Sequence, residues 1–276
     1  MDQVVEATLP IGVFDSGMGG LTVLSALKQR LPQEHFIYLG DTARLPYGTK
    51  SAGTVTRYAL QASSKLVERG VKALVVACNT ASAVSIAALQ AQFKNIPVFG
   101  VVEPGAQAAA QVSEASGVLI MATQSTISGG AYQRALGALL PLATPIYGRA
   151  CPMWVTLAEL GSKPQDYVRR VLAQDLLGVL SNTGPTTMLL GCTHFPVFKQ
   201  HLQYMCGDDV TIVDSAQTTA DVVQAYLQAH KLLNTQQLGL TVSYLATDGV
   251  ERFRQVSSTF LQGSDLLVDQ VELVDL

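Results

Sequence analysis

The stretch Val71-Lys72-Ala73-Leu74-Val75-Val76-Ala77 runs without a break into Cys78-Asn79-Thr80. It has a counterpart further on, where Thr187-Met188-Leu189-Leu190-Gly191 runs into Cys192-Thr193-His194, and the two cysteines lie 114 residues apart. Each short apolar run suits a strand buried on both faces, as strands of parallel sheets are. Each closes on a cysteine with a threonine one or two residues beyond it. Two thiols at the ends of equivalent strands can face each other across a ligand. That arrangement suits chemistry nearly symmetric about one carbon atom.

Outward from Cys78 the same rhythm recurs. Pro10 to Phe14 is apolar, Asp15-Ser16-Gly17-Met18-Gly19-Gly20 is a tight turn, and Leu21, Leu24, Leu27 and Leu31 recur at helical spacing until Pro32. Phe36 to Leu39 reads as a strand leading into the loop Thr42-Ala43-Arg44-Leu45-Pro46-Tyr47-Gly48. Helices are predicted near 53–69 and 83–93, and a further strand over 97–102. Strands alternating with helices predict a parallel sheet covered on both faces. The pattern restarts with a strand over 117–123 ending in Thr123-Gln124-Ser125-Thr126. A helix over 131–139, a strand over 144–147, a helix over 165–180 and the Cys192 strand follow. The tail, with an apolar run over 240–245, a helix over 249–261 and alternating Val271, Leu273 and Leu276, is able to return and complete the first unit. The expectation is an α/β protein of two similar open parallel-sheet domains with the active site between them. The first spans 1–102 plus 216–276, the second 103–215.

Composition narrows the function. Of 276 residues, 48% are hydrophobic and 14% charged, which describes a packed globular chain. The net charge of −3, with no Lys/Arg cluster to follow phosphates, argues against nucleic acid. No apolar run reaches a membrane span. Met1 to Thr8 lacks the layout of a signal peptide, so a cytoplasmic location is expected. In that compartment the four cysteines read as free thiols, and no Cys-x-x-Cys pair suggests zinc.

Ligands of open α/β sheets bind outside the carboxyl ends of the strands. The Asp15 turn, Pro46-Tyr47-Gly48, Cys78-Asn79-Thr80 and Cys192-Thr193-His194 should therefore gather at one place. Helices beginning there favour bound carboxylates and are expected to lower a nearby thiol's pKa. Such a thiol serves as general base, and its protonated form as general acid. Plainer readings exist for each feature: Asp15, Asn79, Thr80 and Thr193 as helix caps, the glycines as turn formers, Tyr47 as a packed loop aromatic, His194 as a structural histidine. Their joint placement at strand ends favours a site.

These segments resemble the motifs of bacterial glutamate racemases. Gly12-Val13-Phe14-Asp15-Ser16-Gly17-Met18-Gly19-Gly20 is similar to the opening motif, and Gly40-Asp41-Thr42-Ala43-Arg44-Leu45-Pro46-Tyr47-Gly48 to the second. Ala77-Cys78-Asn79-Thr80-Ala81-Ser82 and Leu190-Gly191-Cys192-Thr193-His194-Phe195-Pro196 resemble the third and fourth; Cys151-Pro152 and Val213-Asp214-Ser215-Ala216 also fit. The resemblance runs from about Ile11 to Leu273. It implies a cofactor-independent, two-base racemase interconverting L- and D-glutamate, the latter for peptidoglycan synthesis. No metal, nucleic acid or membrane is involved, and a homodimer fits the family. It further implies that Cys78 deprotonates D-glutamate and Cys192 L-glutamate, assisted by Asp15 and His194. Asp15-Ser16, Tyr47-Gly48, Asn79-Thr80 and Thr193-His194 would be the substrate-binding pairs, and Glu159 a further acidic residue near the site.

Two departures stand out. Phe195 replaces a common tyrosine, with little effect expected on the chemistry. The segment before Ile11 is short, whereas some relatives that respond to a cell-wall nucleotide precursor carry a longer one. The alternatives are an aspartate or hydantoin racemase on the same scaffold, a Cys192–His194 hydrolase acting on an amide, or an amino-acid-binding module without turnover. The hydrolase would leave Cys78 idle.

Overall fold

Along the strand Ala73–Val76 the side chains divide between two cores with a period of two. Ala73 and Val75 join the apolar cluster on one face of the sheet, Leu74 and Val76 that on the other. The computed structural model describes residues 6–161, 165–177, 179, 184–236, 239–261 and 271–276. The expectation for Met1 to Val5 and parts of those for the 165–180 helix and the tail lie outside the described residues.

In chain order the first elements are β1 (Ile11–Asp15), α1 (Leu21–Arg30), β2 (Phe36–Gly40), a 3-10 turn (Tyr47–Thr49), α2 (Ala52–Glu68), β3 (Ala73–Val76), α3 (Asn79–Gln92) and β4 (Val98–Gly100). Then come α4 (Val102–Val112), β5 (Val118–Ala122), α5 (Gln124–Gly129), α6 (Ala131–Leu139), β6 (Ile146–Ala150), α7 (Pro152–Glu159) and α8 (Gln165–Leu176). The remainder is β7 (Thr187–Gly191), a 3-10 turn (Phe195–Phe198), α9 (Lys199–Cys206), β8 (Thr211–Asp214), α10 (Ala216–Ala229), β9 (Val242–Ala246), α11 (Val250–Phe260) and β10 (Val271–Leu273).

The strands form two wholly parallel sheets, ordered β10-β9-β2-β1-β3-β4 and β6-β5-β7-β8. The fold class is α/β. Inside the larger sheet, β2-β1-β3-β4 repeats the order of the smaller one, so β3 and β7 are equivalent strands, as are β1 and β5. In both sheets the strand order reverses between the equivalents of β1 and β3, which opens a crevice at their carboxyl ends. Asp15 and Cys78 border one crevice, Thr123 and Cys192 the other.

One face of each sheet feeds a shared apolar cluster running from Val13 and Val75 to Leu119, Met188 and Trp154. The outer faces have separate cores, with Ala59 and Leu66 of α2 on the first and Ala106 and Leu136 on the second. The returning tail is anchored by a buried ion pair. Lys72 Nζ reaches Glu34 Oε2 at 2.5 Å and donates to the Leu232 carbonyl at 2.8 Å, while Glu34 Oε1 accepts from the Asn234 N–H at 2.9 Å.

Several elements differ from their sequence-predicted extents. α3 starts at Asn79 rather than near Ala83, because the Cys78 side chain caps it, Sγ accepting from Ala81 N–H at 3.5 Å. β6 lies later than 144–147, since it is an edge strand whose Tyr147 and Gly148 are exposed and give no apolar run. α4, α5, α7, α9, α10 and β8 had no predicted counterpart.

Candidate active site

The carboxyl ends of both sheets converge on a cavity of about 110 Å³. It is lined by Ser16, Tyr47, Gly48, Cys78, Asn79, Thr80, Glu159, Cys192, Thr193 and His194, among others. Asp15 is fully buried just behind this lining. The sequence-predicted residues are therefore brought together. All four cysteines are free.

On the first side, β1 ends at Asp15 and β3 delivers Cys78. Asp15 Oδ2 accepts from the Gly17 N–H at 2.9 Å, and Oδ1 accepts from the Thr193 hydroxyl at 3.4 Å. Burial raises the Asp15 carboxyl above its ordinary range, against the lowering pull of His194 and the Gly20 and Gly17 N–H groups. Cys78 Sγ donates to Ser16 Oγ at 3.2 Å. The expected lowering of this thiol's pKa is not what the geometry gives. Burial first, and Asp15 second, push it up to about 12, outweighing the hydrogen bonds from Ser16 and Ala81. At neutral pH Cys78 is a protonated thiol.

On the second side, β7 delivers Cys192, whose sulfur accepts from the His194 backbone N–H, and burial again raises the thiol. The His194 ring is held by its own neighbours: Nε2 lies 3.0 Å from Glu159 Oε1, Nδ1 3.5 Å from Thr193 Oγ1, and Phe260 packs against it with ring centroids 5.1 Å apart. Each ring nitrogen thus has a partner of its own, and His194 meets the Cys192 sulfur through its backbone N–H. Glu159, at the last turn of α7, accepts from Arg252 of α11 through Oε2 at 2.6 Å. Burial works to raise the Glu159 carboxyl, but His194 and Arg252 together bring it below its ordinary value.

The rim is polar. Tyr47 is fixed by donating its hydroxyl to Asp41, which also receives Arg44 Nε at 2.6 Å and the Thr247 hydroxyl at 2.9 Å. Asn79 of α3 donates to the Tyr132 hydroxyl of α6 at 2.7 Å. Thr80 Oγ1 sits 3.0 Å from Thr123 Oγ1 and 3.3 Å from Thr126 Oγ1, a three-hydroxyl group drawn from both sheets. Thr123, Thr126 and Arg252 were not singled out in the sequence. The signal for Thr123 was present: it follows β5 as Asp15 ends β1.

At two places only glycine fits between the sheets. A Cβ on Gly19 would lie 2.3 Å from His194 Nδ1, and one on Gly48 would lie 2.8 Å from Thr123 Cβ. Both are contacts that a real Cβ does not make. Among the described residues no group of three His, Cys, Asp or Glu side chains is placed to hold a metal ion. No described helix is long and apolar enough to cross a membrane.

The cleft takes one thiol from each of two like-ordered sheets, an arrangement that fits the class of racemases. Residues 11–223 match the Asp/Glu/hydantoin racemase family, and the chain belongs to it. The glutamate racemase of Geobacter metallireducens is 45% identical over 263 residues, covering 95% of this chain and 96% of that protein. That of Syntrophus aciditrophicus is 39% identical over 272 residues, covering 96% and 97%. Among solved structures, a glutamate racemase isoform from Bacillus anthracis superposes with a TM-score of 0.91 at 35% identity, covering 98% of this chain and 99% of that one. The Francisella tularensis glutamate racemase in complex with D-glutamate gives 0.88 at 33% identity, covering 98% of each chain.

Proposed function

We propose that this cleft interconverts L- and D-glutamate by a two-base mechanism without a cofactor, with Cys78 and Cys192 on opposite faces of the substrate α-carbon. The observation that carries the reading is the pair of thiols, one ending each of two equivalent strands, on one small cavity. Cys78 takes the α-proton of D-glutamate while Cys192 donates from the other face; in the L-to-D direction the roles exchange. A single fixed base returns a proton only to the face it left.

Burial that raises both thiols keeps them protonated at neutral pH in the empty cleft, so each has a proton to give and one must be ionised before it acts as a base. The substrate ammonium supplies the positive charge that makes one thiolate accessible when the site is filled. Asp15 assists Cys78, and His194, steadied by Glu159, assists Cys192. The carboxylates fall to Ser16, Tyr47-Gly48, Asn79-Thr80 and Thr193-His194, where the 3-10 turn at Tyr47 and the N-terminus of α3 present N–H groups. Developing carbanion charge is stabilised by these N–H groups and hydroxyls in a site shielded from water.

The reading extends to two lobes, 1–102 with 216–276 and 103–215, closing on substrate. It also extends to a cytoplasmic homodimer that supplies D-glutamate for peptidoglycan. The decisive experiment is circular dichroism of L-glutamate in D2O with the purified protein and nothing added, followed by mass spectrometry of the α-position. Decay to zero with deuterium in the D product supports the reading, and a constant signal without exchange sinks it. Light scattering tests the dimer, and rescue of a D-glutamate auxotroph tests the cellular role.

A further inference from the structure

Arg252 lies on α11, between two strands of the larger sheet, while Glu159 and His194 follow from elements of the smaller one. Its guanidinium reaches Glu159 Oε2 at 2.6 Å, and the other oxygen of that carboxylate lies 3.0 Å from His194 Nε2. The Glu159 and His194 side chains are 9% and 7% exposed, whereas that of Arg252 is 60% exposed. The carboxylate is therefore gripped from both ends, one oxygen by each partner. α11 also sends Phe260 against the His194 ring, so the helix meets this histidine by two routes. On the Cys78 side the Asp15 carboxyl is held by the Gly17 and Gly20 N–H groups and the Thr193 hydroxyl, with the charge of His194 acting on it as well.

We infer that Arg252 is a positioning residue for the Cys192 half of the reaction, acting from the opposite sheet through Glu159 to hold the His194 ring. Without it, Glu159 keeps one partner and loses the anchor that sets its angle, and the His194 ring follows. The Asp15–Cys78 half meets this chain one step further on, through the Thr193 hydroxyl that lies between Asp15 Oδ1 and His194 Nδ1, and neither Arg252 nor Glu159 touches Asp15 directly. Closure of the two sheets and readiness of one base thereby become linked, because the ion pair forms only when α11 lies against α7.

The inference rests on the two-base reading, and substrate isotope effects separate the two. In the wild type, kcat/KM is measured with α-deuterated L-glutamate and α-deuterated D-glutamate, where the label crosses at Cys192 and at Cys78 respectively. Arg252→Met should lower kcat in both directions by about two- to fivefold, the size associated with a half-exposed ion pair. It should raise the isotope effect on L-glutamate and lower that on D-glutamate, because the Cys192 transfer becomes the slower barrier. Arg252→Lys, which keeps the charge without the planar fork, should fall between. In a Glu159→Gln background, Arg252→Met should add nothing further. Isotope effects that stay put or move together, or additivity with Glu159→Gln, would overturn the inference. Absence of racemisation in the wild type would instead overturn the two-base reading.

Discussion

The two cysteines occupy equivalent strands, yet their surroundings are unlike. Cys78 caps a 14-residue helix with its own sulfur and has the fully buried Asp15 carboxylate nearby. Cys192 leads only into a short 3-10 turn and has an imidazole held by a carboxylate, itself held by an arginine. The sheets share one architecture, and the electrostatics diverge. Burial raises both thiols alike, and what differs is the ionisable group set beside each.

The largest effect expected is from deleting either thiol. Cys78→Ala or Cys192→Ala should cut racemisation by about 10²- to 10⁴-fold, the usual weight of a general acid–base group, while circular dichroism shows an intact fold. Full activity in either variant would end the two-thiol account. Next come the two glycines at the seam. Gly19→Ala drives a methyl into His194 Nδ1, and Gly48→Ala one into Thr123 Cβ, so each should lower stability by about 1–3 kcal/mol and kcat/KM with it. Gly53→Ala in α2 has nothing within 4 Å and serves as the control; thermal melts should leave it unchanged or improved.

A sharper probe of the asymmetry pairs Asp15→Asn with Glu159→Gln. Each should slow turnover by about 10- to 100-fold, as for a lost charged hydrogen bond. The isotope effect should rise on D-glutamate in the first and on L-glutamate in the second. Equal shifts in both would erase the distinction between the halves.

A further effect is on stability in alkali. Burial raises the Cys78 thiol from 9.0 to about 12, so above pH 9 the unfolded chain releases a proton that the folded one retains. This contribution is intact below about pH 9 and falls as pH rises toward 12. Melting temperature should decline over that window, and less steeply in Cys78→Ala.

Much of this was legible in the sequence where one residue type served one purpose. β7 and α6 have the predicted bounds because an apolar run and a helical repeat are each closed by polar or turn residues. The start of α3 was hidden because cysteine is outside the usual capping set. α4 carries Pro104-Gly105, which reads as a break, although proline is tolerated in a first helical turn. Asp15, Cys78, Cys192 and His194 stood out because they close strands, as ligand-facing residues of such sheets do. Arg252 did not, because it sits on an exposed helix surface and its partner is distant in the chain; only the packing of α11 on α7 joins them.

The pairing of β2 with β9 carries a consequence for how the chain is made. Phe36 pairs with Val242 and Tyr38 with Tyr244, so one edge of β2 waits for a strand from far later in the chain to be translated. The smaller sheet, continuous from β5 to β8, is complete on the ribosome before the larger one closes. Until then the outer backbone groups of β2 are an open template for another nascent chain. β9, at Val242–Ala246, therefore acts as a shield for β2, at Phe36–Gly40.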